Sequence, residues 1–258
     1  NNKVSIYSSY GSSAGYPSGA GYELTSSTAI TLGAWEHYAL VGNGSASQTH
    51  KLYRNGVEVA SQTHSQAMTG IAGNFNIGHE SQTAHNFFQG EIEDFRITKG
   101  LKVYTGAFTT PTGPLTSTWT ANPFGGSNTA ANTDASKIEL LIHGDGAKFT
   151  DSATSGTTHT ITPTGSYHTQ SHGGIAPAMA WPTSKKATGS AGVFFDGTGD
   201  YLSITNPSFY PDAGGTLSVS YTVDFWMYLT DVATTQTFVG FYDSSTKWFR
   251  ICTKVNSS

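Results

Sequence analysis

Residues 87–114 read FFQGEIEDFRITKGLKVYTGAFTTPTGP, which has the form of the last strand of a β-sandwich and its departing tail. Gly90 opens the stretch, a strand-like run follows over residues 91–98, and Lys99-Gly100 breaks that run. Gly and Pro residues then mark the exit from the sheet. If a domain ends here, it ends less than halfway along the 258-residue chain, and the rest must be arranged around that early end.

Within this strand the apolar alternation slips. Ile92 falls on one face of a regular strand, whereas Phe95 and Ile97 fall on the other. An extra residue inserted near Glu93-Asp94 would bring all three side chains into one core. We therefore predict a β-bulge at this position.

The composition argues against several classes of partner and environment. Only 12% of residues are charged, against about 25% in a typical soluble protein. The net charge is −4 with no basic stripe, so nucleic acid is not expected as a partner. The single cysteine, Cys252, allows no internal disulfide, and no apolar run approaches the roughly 18 residues of a membrane span.

Alternating or apolar runs predict strands along most of the chain. The strongest local signal is Asn55-Gly56 between two short strands, because Asn-Gly is a preferred hairpin turn. Residues 116–136 are small, polar and Gly-rich and predict a linker, with Trp119 and Phe124 available to dock it on a neighbouring surface. Helical patterns are nearly absent. Strands that recur about every 8–12 residues, with turns between them, predict an all-β antiparallel sandwich or jelly roll.

Several motifs resemble a known family. WEHYALV (35–41), LYRNGV (52–57), FNIG (75–78) and GEIEDFRITKG (90–100) resemble the second half of a laminin-G-like, concanavalin-A-like jelly roll. LLIHGDG (140–146), FDGTGDYL (195–202) and VDFWMY (223–228) resemble the first half of the same fold. The tail YTGAFTTP (104–111) is similar to the version found in virion structural proteins of marine bacteriophages.

The two halves occur in inverted order. Residues 1–115 correspond to the C-terminal half, 116–136 to the linker and 137–258 to the N-terminal half. Three arrangements remain open: a window on tandem jelly rolls, successive copies that complete each other, or a chain that closes on itself. Pairing of residues 249–255 with residues 3–8 of the same chain, of another copy, or of neither distinguishes them.

Paired carboxylates invite an enzymatic interpretation. The resemblance implies comparison with retaining β-glucanases, which carry two Glu on alternate positions of one strand, as Glu91 and Glu93 do here. The intervening Asp and the spacing of those enzymes are not matched. We therefore expect a solvated strand face and no catalytic residue.

Calcium is the cofactor that the resemblance implies. Related jelly rolls hold a structural calcium where the first strand meets the closing strand, which here would give Asp94 and Asp145 as ligands. Asp196 and Asp200 form a second, weaker carboxylate pair. The alternative for each pair is that the carboxylates cap turns.

The loop over residues 8–21 suggests a binding surface. Tyr10, Tyr16 and Tyr22 stand among Ser and Gly, as in antibody paratopes, where rigid rings lie among adaptable small residues. Such rings suit stacking on a sugar. The alternative is a surface loop whose tyrosines pack locally.

Together these features predict a non-enzymatic structural or adhesion protein on a virion surface or in an extracellular assembly, with a candidate role in glycan binding. Its expected partners are other copies or flanking repeats, and a cell-surface glycan. The first alternative is a pure self-assembling module with no ligand. The second is a degenerate β-glucanase-like enzyme. The superfamily that the motifs resemble hosts lectins, adhesion modules and enzymes, so the fold alone does not decide the function.

Overall fold

In the computed structural model, the regular secondary structure of the described residues is almost entirely β-strand. It describes residues 2–9, 21–44, 48–64, 73–80, 86–143, 149–153, 158–165, 168–171, 191–205, 207, 219–244 and 247–255. The strands are β1 (Lys3–Ser9), β2 (Gly21–Ala29), β3 (Trp35–Gly42), β4 (Gln48–Arg54), β5 (Val57–His64), β6 (Asn74–Ile77), β7 (Gln89–Lys99), β8 (Ile138–Ile142), β9 (Thr162–Thr164), β10 (His168–Ser171), β11 (Ala191–Asp196), β12 (Tyr201–Ile204), β13 (Tyr221–Leu229), β14 (Thr237–Ser244) and β15 (Lys247–Lys254). A single 3₁₀ turn, Ala135–Lys137, precedes β8.

The strands form two antiparallel sheets that pack face to face. One sheet has the order β2-β1-β15-β14-β6-β12-β9, and the other β10-β11-β7-β13-β3-β4-β5, with β8 also paired to β7. Inward side chains of both sheets form one core, which includes Ile6, Leu40, Phe75, Phe225 and Phe238. The predicted all-β antiparallel sandwich is confirmed.

Both halves of the sequence contribute to each sheet. Strand β13 lies between β7 and β3, and β14 lies between β15 and β6. Residues 248–254 pair in register with residues 3–9 of the same chain, from Lys3 opposite Lys254 to Ser9 opposite Trp248. The antiparallel pairing of β15, the last described strand, with β1, the first, thus joins the two halves within one chain.

The predicted bulge in β7 is confirmed. Arg96 pairs with Asp224 and Glu93 with Trp226, so two residues of β7 face the single residue Phe225. Asp94 has φ 50, in the left-handed region that few non-glycine residues adopt. Ile92, Phe95 and Ile97 accordingly share the central core. The bulge also divides one edge of β7, whose first half pairs with β11 and second half with β8.

Residues 101–134, here called the covering segment, pack on the outer face of the eight-stranded sheet. Val103, Tyr104 and Phe108 form a second apolar cluster with Ala39, Val41 and Tyr53 of the sheet. Phe108 N–H donates to the carbonyl of Gly56 at 2.9 Å, so the segment docks on the Asn-Gly hairpin turn. Within residues 116–136, the stretch that the sequence predicts as a linker, Trp119 packs against the same apolar cluster.

Candidate functional site

A buried charged network lies between the covering segment and the sheet. The Arg96 guanidinium donates two hydrogen bonds to Asp224, from Nε at 3.0 Å and from Nη2 at 2.8 Å. The Tyr104 hydroxyl donates to Asp224 Oδ2 at 2.8 Å. His37 Nε2 lies 3.8 Å from the same oxygen, beyond hydrogen-bond distance. The carboxylate thus ties β7 and β13 to the covering segment.

Burial and charge together set the protonation states in this network. Burial alone would raise the pKa of Asp224, but the neighbouring Arg96 guanidinium brings that pKa below its usual value. Burial lowers the pKa of His37, so its imidazole is neutral. Burial and the Asp224 charge raise the pKa of Tyr104, which therefore remains a hydroxyl donor.

An open cleft of about 200 Å³, here called the Trp119 cleft, lies above this network. Its floor consists of the buried residues Arg96, Tyr104, Leu115 and Thr129. Two of the three Arg96 nitrogens donate to Asp224. The third, Nη1, makes one long hydrogen bond, 3.4 Å to the carbonyl of Thr116. The floor thus offers a guanidinium N–H together with the hydroxyl of Thr129.

Four rings form the walls of the Trp119 cleft. Trp119 and Phe124 are half-buried, and Pro114 and Pro123 are exposed. The Trp119 ring lies over the Arg96 guanidinium at 4.3 Å, and its Nε1 donates to the carbonyl of Ala130 at 2.7 Å. The indole is thus fixed in orientation while part of its ring stays accessible. Aromatic and proline rings around a few polar donors match the make-up of small-molecule sites.

A second cleft of about 250 Å³ opens on the other side of Tyr104. Its polar lining includes Lys51, Lys102, Asn43 and Thr49. Lys51 is engaged by Glu58 at 2.8 Å. This cleft has no accessible aromatic platform comparable to Trp119 among its lining residues, which are Val41, Asn43, Thr49, Lys51, Lys102, Tyr104 and Thr105.

The first part of the chain matches a known protein family. Residues 2–102 match the family model described as the concanavalin A-like lectin/glucanases superfamily. This part of the chain, which spans β1 to β7, is similar to that superfamily, and the two-sheet sandwich is consistent with a concanavalin A-like jelly roll. No curated protein and no solved structure matches the chain.

The concanavalin A-like match ends before most of the Trp119 cleft begins. Of the lining residues only Arg96 lies within 2–102, and all the others belong to the covering segment. The cleft is therefore built by sequence that follows the matched region. A domain of this superfamily fits a carbohydrate-binding or a structural role.

The paired carboxylates of β7 lie on the outer face but not in solvent. Glu91 and Glu93 are each 2% exposed, so the prediction of a solvated strand face is wrong. The covering segment packs on this outer face, where Phe108 contacts His37 of β3, two strands away from β7. Alternation along the strand shows which face a residue occupies, but not whether another segment covers that face.

Asp94, predicted as a calcium ligand, is buried at the bulge. Its Oδ1 lies 2.6 Å from His143 Nδ1, and its Oδ2 accepts from Leu115 N–H at 3.4 Å. Burial raises the pKa of Asp94, although His143 opposes that rise. Its predicted partner, Asp145, lies outside the described residues, two positions after His143. Within the described ranges, no three His, Cys, Asp or Glu side chains converge to hold a metal.

Asp196 and Asp200 lie in the turn between β11 and β12. Asp196 Oδ1 accepts from Thr198 N–H at 2.6 Å, and Asp200 Oδ2 accepts from Asp196 N–H at 3.1 Å. Both carboxylates thus accept backbone N–H groups of the turn, the role that the alternative interpretation gave them. As calcium ligands they remain a prediction.

Most of the predicted tyrosine surface lies outside the described residues. Tyr10 and Tyr16 fall outside the described residues, and of Tyr22 only the backbone, in β2, is described. Sequence reasoning identified Trp119 and Phe124 as docking residues but not as walls of a cleft. The signal was two large rings in an otherwise small, polar stretch. Among the described residues no helix has the length and apolar character needed to cross a membrane.

Proposed function

We propose that this chain is a non-enzymatic carbohydrate-binding adhesion domain and that the Trp119 cleft holds a sugar residue. The observation that carries the proposal is the open, ring-walled cleft above a buried guanidinium. The apolar face of a pyranose would stack on Trp119 and Phe124. Its hydroxyl oxygens would accept from Arg96 Nη1 and from the Thr129 hydroxyl.

Burial of the β7 carboxylates supports the non-enzymatic part of the proposal. A retaining glycosidase needs two carboxyl groups on either side of an accessible glycosidic bond. Glu91 and Glu93 are both 2% exposed. A glycosidic bond cannot lie between two carboxyl groups that are buried in this way, whereas the Trp119 cleft is open. Release of reducing sugar from a β-glucan by the purified protein would contradict this part.

Display on a virion or in an extracellular assembly is the second part of the proposal. Its support is the resemblance of residues 104–111 to tails of bacteriophage virion proteins. A surface adhesion role is compatible with the open cleft on the outer face.

Structural calcium near Asp94 is a further proposal, supported by the position of that carboxylate beside the chain that leads to Asp145. A calcium-dependent rise in melting temperature that is absent in Asp94→Asn would support it.

Binding to a glycan array separates the adhesion domain from a pure assembly module. We expect the wild-type protein to bind a defined set of glycans, and Trp119→Ala and Phe124→Ala each to lose at least tenfold in affinity for them. Leu32→Ala is the matched control, because Leu32 is 45% exposed and lies outside the cleft. An array without any bound glycan would favour the assembly module. Unchanged binding by both cleft variants would contradict the site.

A further inference from the structure

A second, separate constellation lies at the opposite end of the same sheet face. Tyr228 of β13 is the cross-strand neighbour of both Glu91 of β7 and Trp35 of β3. The three side chains therefore form one row across three strands on the outer face. The Trp35 and Tyr228 rings lie 5.7 Å apart at 55°, and both residues are half-buried.

Gly192 of β11 leaves a small gap beside this row. A methyl group at residue 192 would lie 3.4 Å from Glu91 Oε2 and 3.6 Å from Cη2 of Trp35. Both distances are ordinary van der Waals contacts. The missing side chain thus leaves a space of about methyl size, bordered by a carboxylate oxygen and by the edge of an indole.

Two polar atoms of this row have no hydrogen-bond partner among the described residues. Glu91 Oε2 and Trp35 Nε1 are buried and have no hydrogen-bond partner among the residues that the structure describes. A buried carboxyl group without a partner is costly, since it has lost water and gained nothing in exchange. Such a group in a native fold calls for a ligand or another functional reason.

We propose that the Glu91–Tyr228–Trp35 row is an ammonium-recognition site and that its ligand is an amino sugar with a free amine. The ammonium group would enter the gap at Gly192 and donate to Glu91. The pyranose would lie at the mouth against Trp35 and Tyr228, where an acceptor oxygen meets the Trp35 indole N–H. This inference rests on the proposed carbohydrate function but uses residues apart from the Trp119 cleft.

Three features select an ammonium ion over other groups. A carboxylate pairs with a cation through charge-assisted hydrogen bonds, so Glu91 at the border of the gap favours a positively charged group. The net charge of −4 favours approach of a cationic ligand. The methyl-sized gap admits an –NH₃⁺ group but not a bulky N-acetyl group. N-acetylation of the sugar should therefore abolish recognition through both charge and volume.

Isothermal titration with glucosamine tetramer and with its N-acetylated counterpart, both at pH 7, tests the inference. Wild-type protein is expected to bind the free-amine tetramer at least tenfold more tightly. Glu91→Gln, which removes the charge, and Gly192→Ala, which fills the gap, should each weaken that binding at least tenfold. Glu58→Gln is the matched control, since Glu58 is an exposed carboxylate on β5, and it should bind as wild type does. Melting curves confirm that all three variants are folded.

The outcomes separate this inference from the proposed function. Equal binding of both tetramers, or wild-type affinity in Glu91→Gln, overturns the ammonium site. If array glycans then still depend on Trp119, the carbohydrate function stands without it. Tighter binding of choline than of glucosamine tetramer would also contradict an amino sugar as the ligand, because it would assign the row to quaternary ammonium compounds.

Discussion

Asp224 is the residue on which the outer face of the eight-stranded sheet depends most. It is fully buried and accepts hydrogen bonds from Arg96 and from Tyr104. A buried ion pair adds little to the stability that a well-packed apolar pair would give, but removal of one partner leaves the other charge buried and unpaired. The sequence signals this pair only weakly, because Arg96 and Asp224 are 128 residues apart and neither is in a motif that predicts the other.

Asp224→Asn should therefore destabilise the protein strongly. The change leaves the Arg96 guanidinium buried without a countercharge, at a cost of about 3–5 kcal/mol in the free energy of unfolding. Tyr104→Phe removes one neutral donor from the same carboxylate and should cost only about 1 kcal/mol. Urea denaturation measures both. Equal losses in the two variants would mean that the Arg96–Asp224 charge pair does not dominate.

Glu91 should make the protein less stable as the pH rises. Burial raises the pKa of its carboxyl from 4.5 to about 7 in the folded protein. The folded state thus holds the proton more tightly than the unfolded state. The resulting stabilisation is complete below pH 4.5 and is lost as the pH rises through 7, with a total of roughly 3 kcal/mol.

Melting temperatures of the wild type and of Glu91→Gln from pH 4.5 to pH 8.5 check this expectation. The variant carries a neutral amide at every pH, so the difference between the two proteins should shift steadily in the variant's favour. A difference that does not change with pH would show that Glu91 is solvated or paired.

At the scale of elements, the covering segment is the feature that converts a sheet face into a site. Its two internal bridges join Tyr104 to Thr129 and Trp119 to Asn132, so it folds on itself as it packs. Trp119 anchors it on Arg96 and on the cluster of Leu115, Ile138 and Leu141. Because Trp119 makes both of these contacts, residues 116–132 should loosen when its side chain is removed.

Trp119→Ala is expected to increase local opening of the covering segment without unfolding the sandwich. Loss of the half-buried indole and its contact with Arg96 should lower the local stability by about 2 kcal/mol, which corresponds to roughly 30-fold faster amide exchange. Hydrogen exchange followed by mass spectrometry should locate the increase in residues 116–132. Peptides of β13 and β14 serve as the internal control and should exchange as in the wild type. An increase spread evenly over the whole chain would contradict a local anchor.

The sequence predicted the central elements better than the peripheral ones, for a physical reason. Apolar side chains that share one core must lie on the same face of their strand. Ile92, Phe95 and Ile97 break the regular alternation, so the bulge at Asp94 could be inferred from them. Strand β2, with the sequence GYELTSSTA, carries few apolar residues and gave no such signal. Residues 116–136 were predicted as a linker because they carry a few rings and backbone hydrogen bonds rather than a periodic apolar pattern.

At the scale of the whole molecule, several strand pairs join the two halves, and one of them, β15–β1, brings the two ends of the described chain together. Strands β15 and β1 join the end of the second half to the start of the first, and both adjoin strands of the same sheet. A half-sandwich without this pairing would expose unpaired edges and an apolar face. The tandem and head-to-tail arrangements use the same pairing between copies, so the sequence left them open.

A disulfide between residues 5 and 252 tests the closure within one chain most directly. Ser5 lies directly opposite Cys252, at a separation typical of antiparallel pairs and compatible with a disulfide. Cys252 is the only cysteine, so Ser5→Cys creates one defined pair. Refolded in a glutathione buffer and run on a non-reducing gel, Ser5→Cys is expected to migrate as a compact monomer with an intrachain bond. Disulfide-linked dimers or ladders at low protein concentration would contradict closure within one chain.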